Sequence, residues 1–129
     1  MGYLLDTNAV INYLDASLPV AGMHLLNTIV DQEPMASIVT KIETLGYAFK
    51  SVEEQAIMET FINGSTILHL NDEIVDKTIA LRKSKKMKLP DAIIAATALV
   101  YNLVVILRNT ADFKNIPGLQ VINPHHLQQ

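Results

Sequence analysis

The sequence predicts an α/β domain whose parallel sheet is covered by helices on both faces. Short apolar runs recur along the chain, and the first three are each followed by a segment with helical spacing of its apolar positions. The first run, Tyr3-Leu4-Leu5, stops abruptly at the polar Asp6-Thr7-Asn8, and a new apolar pattern begins at Val10. Asp6 is thereby expected at the carboxyl end of a strand, the edge where ligands bind in open α/β sheets. Taken alone, Asp6 or Asn8 reads equally well as a plain cap for the next helix.

The elements follow in order. A short helix over Val10–Leu14 comes first, and Pro19 opens a second over Val20–Val30, with Met23, Leu26, Asn27 and Val30 on one side. Glu33-Pro34 breaks that pattern before a strand at Met35–Ser37. A helix over Val39–Phe49 comes next. Ser51 with Glu54 forms a capping box for a helix reaching Ile62. Asn63-Gly64-Ser65 turns the chain into a strand at Thr66–Leu70. Asn71 then caps a helix to about Lys83, with Ile74, Val75, Ile79 and Arg82 on one stripe. Pro90 starts a helix whose Asp91–Val100 stretch is almost wholly apolar and therefore expected to be buried. Leu103–Leu107 is a strand, and Asn109–Phe113 a turn with one helical turn. Pro117-Gly118 leads into a last strand at Leu119–Ile122.

A chain of 129 residues is one domain, long enough for a real core. Half its residues are hydrophobic, which implies either a large core or apolar surface kept for a partner. It has no cysteine, so a disulfide framework and a thiolate metal site are both excluded, and a reducing, cytoplasmic setting fits. No basic region precedes an apolar segment at the start, so no secretory leader is expected. The longest apolar stretch, Ala92–Leu107, is interrupted by Thr97, Tyr101 and Asn102 and is too short and broken to span a membrane. A net charge of −3 argues against coating nucleic acid through a bulk field. Five of the ten basic residues nevertheless fall between Arg82 and Lys88.

Four acids sit where ordinary surface charges do not. Glu43 is expected on the edge of a helical face formed by Val39, Ile42 and Gly46, where an unpaired carboxylate is costly unless it snorkels to water. Asp91 shares its face with Ile94, Ala95 and Ala98. Favourable interaction with the helix dipole explains its place at a helix start but not its inward direction. Asp112 follows the strand ending at Leu107, as Asp6 follows the first. Four carboxylates gathered at one end of a sheet cannot all ionise without a cation. Oxygen-rich acidic sites suit Mg²⁺ or Mn²⁺, which serve in-line phosphodiester hydrolysis. His24, His69, His125 and His126 show no metal-ligand spacing, and the last two are expected at an exposed end.

At these four acids the sequence resembles the PIN-domain ribonucleases, specifically the toxin branch usually called VapC. The matching pieces are Leu5-Asp6-Thr7-Asn8, the stretch from Ser37 through Thr40 to Glu43, Leu89-Pro90-Asp91-Ala92-Ile93-Ile94-Ala95-Ala96, and Arg108-Asn109-Thr110-Ala111-Asp112-Phe113. Together they cover essentially the whole chain, so residues 1–129 are expected to form a single PIN domain. The resemblance implies a three-layer α/β/α sandwich with a central parallel sheet of about five strands, assembled as a homodimer. It also implies a Mg²⁺- or Mn²⁺-dependent endoribonuclease, the toxin of a type II toxin–antitoxin system, held in check by a cognate antitoxin protein. Carried over by position, Asp6, Glu43, Asp91 and Asp112 are the catalytic, metal-binding acids, supported by Thr7, Asn8 and Asn109. Lys85, Lys86, Lys88 and Arg108 are the expected RNA contacts. Leu107 departs from the pattern, standing where the family often has Thr or Ser.

Three rival readings compete with this one. A haloacid-dehalogenase-like phosphatase needs a second Asp where this chain has Asn8, and a receiver domain needs a set of acids and a late Lys that are missing. The third is a PIN-fold partner-binding module with impaired catalysis, which the Leu107 departure favours and the presence of all four acids opposes.

Overall fold

A computed structural model describes residues 2–127. Five strands, β1 (Tyr3–Leu5), β2 (Met35–Ser37), β3 (Thr66–Leu68), β4 (Val104–Ile106) and β5 (Gln120–Ile122), pair in the order β3-β2-β1-β4-β5. Every pairing is parallel. The six helices are α1 (Thr7–Leu14), α2 (Val20–Gln32), α3 (Ile38–Leu45), α4 (Val52–Asn63), α5 (Asp72–Ser84) and α6 (Leu89–Tyr101). A single 3₁₀ turn, Thr110–Phe113, lies between β4 and β5.

The sheet divides the core in two because successive side chains in a strand point to opposite faces. Leu4 and Val105 turn toward α3, α5 and α6, where they pack with Val39, Ile74, Leu81, Ile94 and Ala95. Leu5 and Ile106 turn the other way and pack with Val10, Leu26, Ile29, Met58 and Ile62 from α1, α2 and α4. This is the three-layer α/β/α sandwich. Among the described residues no helix is long and apolar enough to cross a membrane.

Several boundaries and faces differ from the sequence expectation. The first helix starts three residues earlier, at Thr7, because Asp6 caps it. The helix expected over Val39–Phe49 closes at Leu45, with Gly46 as its C-cap. The strand expected over Thr66–Leu70 ends at Leu68.

Two apolar stripes lie elsewhere than hydropathy places them. Ile42, expected to face inward, is 65% exposed, and Thr40 and Thr44 occupy the buried side instead. On α5, Ile79 is 51% exposed and Thr78 takes the inward place beside Ile74 and Leu81. Both results share a cause. Thr44, Thr78 and Thr97 each donate their hydroxyl to the carbonyl four residues back, at 2.7 Å, so burying them leaves no orphaned polar atom. Of the two C-terminal histidines, His126 is exposed as expected, but His125 is half-buried, with Nε2 3.2 Å from Asn12 Oδ1.

The segment after β5 lies directly on α2. A methyl group added to Gly22 would fall 2.2 Å from the Pro124 carbonyl oxygen. Replacing a mid-helix glycine by alanine ordinarily stabilises by about 1 kcal/mol. Here the overlap is with backbone, and overpacking of that kind costs about 1–3 kcal/mol. Gly22→Ala is therefore expected to lower the urea unfolding midpoint. A raised midpoint would mean that the 123–127 segment does not press on α2.

Candidate functional site

From β1 the chain winds outward through β2 to β3, then returns to the far side of β1 to form β4 and β5. The strand order therefore reverses between β1 and β4, and the crevice beyond the carboxyl ends at such a switch point is where parallel sheets bind ligands. Asp6 leaves β1 at that place, its backbone N–H bonded to the Ile106 carbonyl of β4 at 3.1 Å.

Each acid but Asp91 is held by a local hydrogen-bond donor. Asp6 Oδ1 accepts the Ala9 N–H at 2.8 Å, which makes it the N-cap of α1. Glu43, on α3 and exposed, accepts a short hydrogen bond from the Thr7 hydroxyl. Thr7 Oγ1 also lies 3.4 Å from Thr40 Oγ1, but it has one proton to give, and the carboxylate is the closer, charged acceptor. Asp112, in the 3₁₀ turn, accepts from Asn109 Nδ2 at 2.9 Å. Asp91 is half-buried in the first turn of α6, behind Pro90. Among the described residues no three acids or histidines stand close enough to grip an ion as they are placed.

The electrostatics nonetheless join the four acids. Burial is the main force raising the Asp6 carboxyl from 3.8 to about 7, aided by repulsion from Asp91 and Glu43 and opposed by the Ala9 bond. Asp91 is raised as well, first by burial, then by Asp112 and Glu43, with Lys88 pulling the other way. The donor set, all carboxylate oxygen and short of compensating charge, matches a hard divalent cation such as Mg²⁺ or Mn²⁺ in chemistry. Asp91 and Asp112 also line an open depression of about 320 Å³ together with Lys86, Met87 and Lys88.

The remaining expected residues are placed unevenly. Asn8 and Arg108 are exposed, and the Arg108 carbonyl is tied to Asn123 Nδ2 at 3.0 Å. Lys86 and Lys88 stand at the depression, whereas the Lys85 ammonium is bonded to the Lys114 carbonyl at 2.7 Å. Leu107 is 1% exposed and packs into the core, so it brings nothing polar to the site. Thr40 has a role that sequence reasoning missed. Its hydroxyl lies 3.4 Å from that of Thr7 and 3.5 Å from the Leu5 carbonyl, knitting α3 to the end of β1. Its place between Ser37 and Glu43 is the only clue in the sequence.

A parallel five-stranded sheet in this order, covered by helices on both faces, is the fold that a family comparison identifies. A PIN domain model matches residues 3–119, and the chain belongs to the PIN domain family. Among solved structures it is similar to a toxin–antitoxin complex from Klebsiella pneumoniae, with 29% identity, a TM-score of 0.76, and coverage of 98% of this chain and 100% of that one. It is also similar to DNA-bound VapBC from Salmonella typhimurium, with 26% identity, a TM-score of 0.77, and coverage of 96% and 98%. VapBC2 from Rickettsia felis, bound to a DNA fragment from its promoter, shares the fold at 21% identity and a TM-score of 0.79, with coverage of 95% and 98%. No curated protein matches the sequence.

The raised Asp6 carboxyl gives the metal-free protein a signed pH dependence. Below pH 3.8 folded and unfolded chains both hold the proton. Between there and about pH 7 only the folded chain keeps it, so stability falls as pH rises through that window. The interval corresponds to roughly 4 kcal/mol. Asn caps a helix as well as Asp does, so Asp6→Asn removes the charge and keeps the Ala9 bond. In EDTA at pH 7.5 the variant is expected to have the higher urea midpoint and a flatter profile between pH 4 and 7. Identical profiles for variant and wild type would show that Asp6 carries no buried charge.

Proposed function

We propose that residues 1–129 act as a single PIN domain and as a Mg²⁺- or Mn²⁺-dependent endoribonuclease, the toxin of a toxin–antitoxin pair. The observation that carries this reading is the convergence of Asp6, Glu43, Asp91 and Asp112 at the switch point, where two of the four resist ionisation. These four would hold the ion, which when bound supplies an activated water and a counter-charge for phosphodiester hydrolysis. Thr7 restrains Glu43 through its hydroxyl, and Asn109 restrains Asp112 through its amide. Lys86 and Lys88, on the rim beside Asp91, are set to meet the phosphates flanking the scissile one. Arg108, exposed beyond β4, is a further candidate for an RNA contact.

The partner is a cognate antitoxin, in keeping with the toxin–antitoxin complexes among the similar structures. A mainly apolar groove of about 460 Å³ runs between α1 and α4, lined by Ile11, Leu14, Tyr47, Phe49, Ile57 and Met58 with the acids Asp15 and Glu54. Such a lining suits the apolar face of an amphipathic helix. The exposed apolar residues Val52, at 81%, and Ile57, at 53%, extend the surface available to that antitoxin or to a second copy in a homodimer. The core position of Leu107 favours the other reading, a partner-binding module with impaired catalysis.

Purified protein is expected to cut RNA only with Mg²⁺ or Mn²⁺ and to stop in EDTA. Asp91→Asn should lower cleavage by orders of magnitude while leaving the fold intact. EDTA-resistant cleavage would end the metal mechanism, and folded protein that never cuts would establish the binding module. For the rim, Lys86→Ala with Lys88→Ala should lower the salt slope of single-stranded RNA binding by about 0.7 for each phosphate no longer neutralised. An unchanged slope would return both lysines to solvent.

A further inference from the structure

Lys85 differs from the other lysines of its run. It is the C-cap of α5 and half-buried, and it does not line the depression that Lys86 and Lys88 share with Asp91 and Asp112. Its Nζ donates to the carbonyl of Lys114 at 2.7 Å. Lys114 is the C-cap of the 3₁₀ turn Thr110–Phe113, the turn that carries Asp112.

The end of a helical turn leaves carbonyls without intrahelical partners, and a cation placed there is favoured by the aligned peptide dipoles. A charged donor makes that hydrogen bond stronger than a neutral one would be. The turn's other polar ties are internal or reach only its own flank. Lys114 N–H bonds to the Ala111 carbonyl at 3.4 Å, Thr110 N–H to the Arg108 carbonyl at 3.1 Å, and Asn109 to Asp112 itself. These fix the shape of the turn but not its distance from the helices beside it. Phe113 and Ile116 seat it on the core. The Lys85 bond alone among these polar ties reaches across to α5, which packs along α6, the helix that begins with Asp91.

We propose that Lys85 is a positioning residue: through the Lys114 carbonyl it sets the gap between Asp112 and Asp91, and it is not a phosphate contact. The inference rests on reading the four acids as a metal site, but the tie itself can be tested without that reading. Lys85→Met keeps the stem and removes the donor, and Lys85→Arg restores a donor. In amide hydrogen exchange on the whole chain, Lys85→Met should speed exchange over residues 110–116 roughly tenfold, as loss of a charge-assisted bond requires. Calorimetric titration with Mn²⁺ should show affinity weakened by roughly tenfold, the scale of effect for groups that orient ligands. Lys85→Arg should recover both, and in an Asp112→Asn background Lys85→Met should no longer affect Mn²⁺ affinity. The salt slope of RNA binding should stay unchanged.

Unaltered exchange over 110–116 in Lys85→Met overturns the proposal, and a slope lower by about 0.7 would then give Lys85 to the phosphates. Faster exchange with undiminished Mn²⁺ affinity overturns it too, because the turn would then be loosened without consequence for the site. Wild-type protein that binds no Mn²⁺ would remove the metal-site reading instead, and the positioning role would fall with it.

Discussion

The structure depends on where it tolerates charge. Asp6 has two tasks that pull its carboxyl in opposite directions. As the N-cap of α1 it gains from ionisation, because it accepts a backbone N–H at a positive helix end. As a group sunk at the sheet's switch point, beside Asp91 and Glu43, it is penalised for the same charge, and the penalty wins. A protein that needed only a helix cap would place it in water. The cost is understandable if the charge has a counterion during function, since binding to the folded chain alone converts affinity into stability.

The rest of the architecture serves to hold that position. The central strand β1 is flanked on both sides and buried on both faces, so Asp6 extends from the most constrained segment of the sheet. Asp91 depends on α6, in which Ala92, Ile94, Ala95, Ala96, Thr97 and Ala98 are all buried. Small alanine side chains let that helix approach the sheet closely and carry its first turn to the same edge. The two acids that are exposed, Glu43 and Asp112, are the ones restrained by side-chain donors, from Thr7 and Asn109. Asp6 is held by a backbone donor, Glu43 and Asp112 by side-chain donors, and Asp91 by the packing of its helix.

Much of this is legible in the residues. Alternating strand and helix signals point to five parallel strands, and the abrupt change from Leu5 to Asp6 marks the candidate functional edge. The inward face of α6 is readable because Asp91 interrupts an otherwise apolar helix. What escapes is the inward face of α3 and of α5. Hydropathy selects Ile42 and Ile79, whereas the chain buries Thr40, Thr44 and Thr78. A threonine that bonds to the preceding turn hides its polarity from its surroundings, and a scale that scores it as polar misplaces the stripe. The tie made by Lys85 is equally hidden. Five cations in a short run look alike, and which one meets a backbone carbonyl depends on a turn nearly thirty residues further on.

The pairing of β1 with β4 joins Tyr3 to Val104, so the two strands that frame the crevice lie at opposite ends of the sequence. During synthesis, β1, β2 and β3 emerge first and can associate, but β1 remains an edge strand until β4 arrives. Asp6 and Glu43 are then present without Asp91 fixed against them or Asp112 yet made. Contacts of such long range form late, because a large loop must close before they can repay its entropy. The four carboxylates are therefore brought together only after β4 and the turn that follows it have been made.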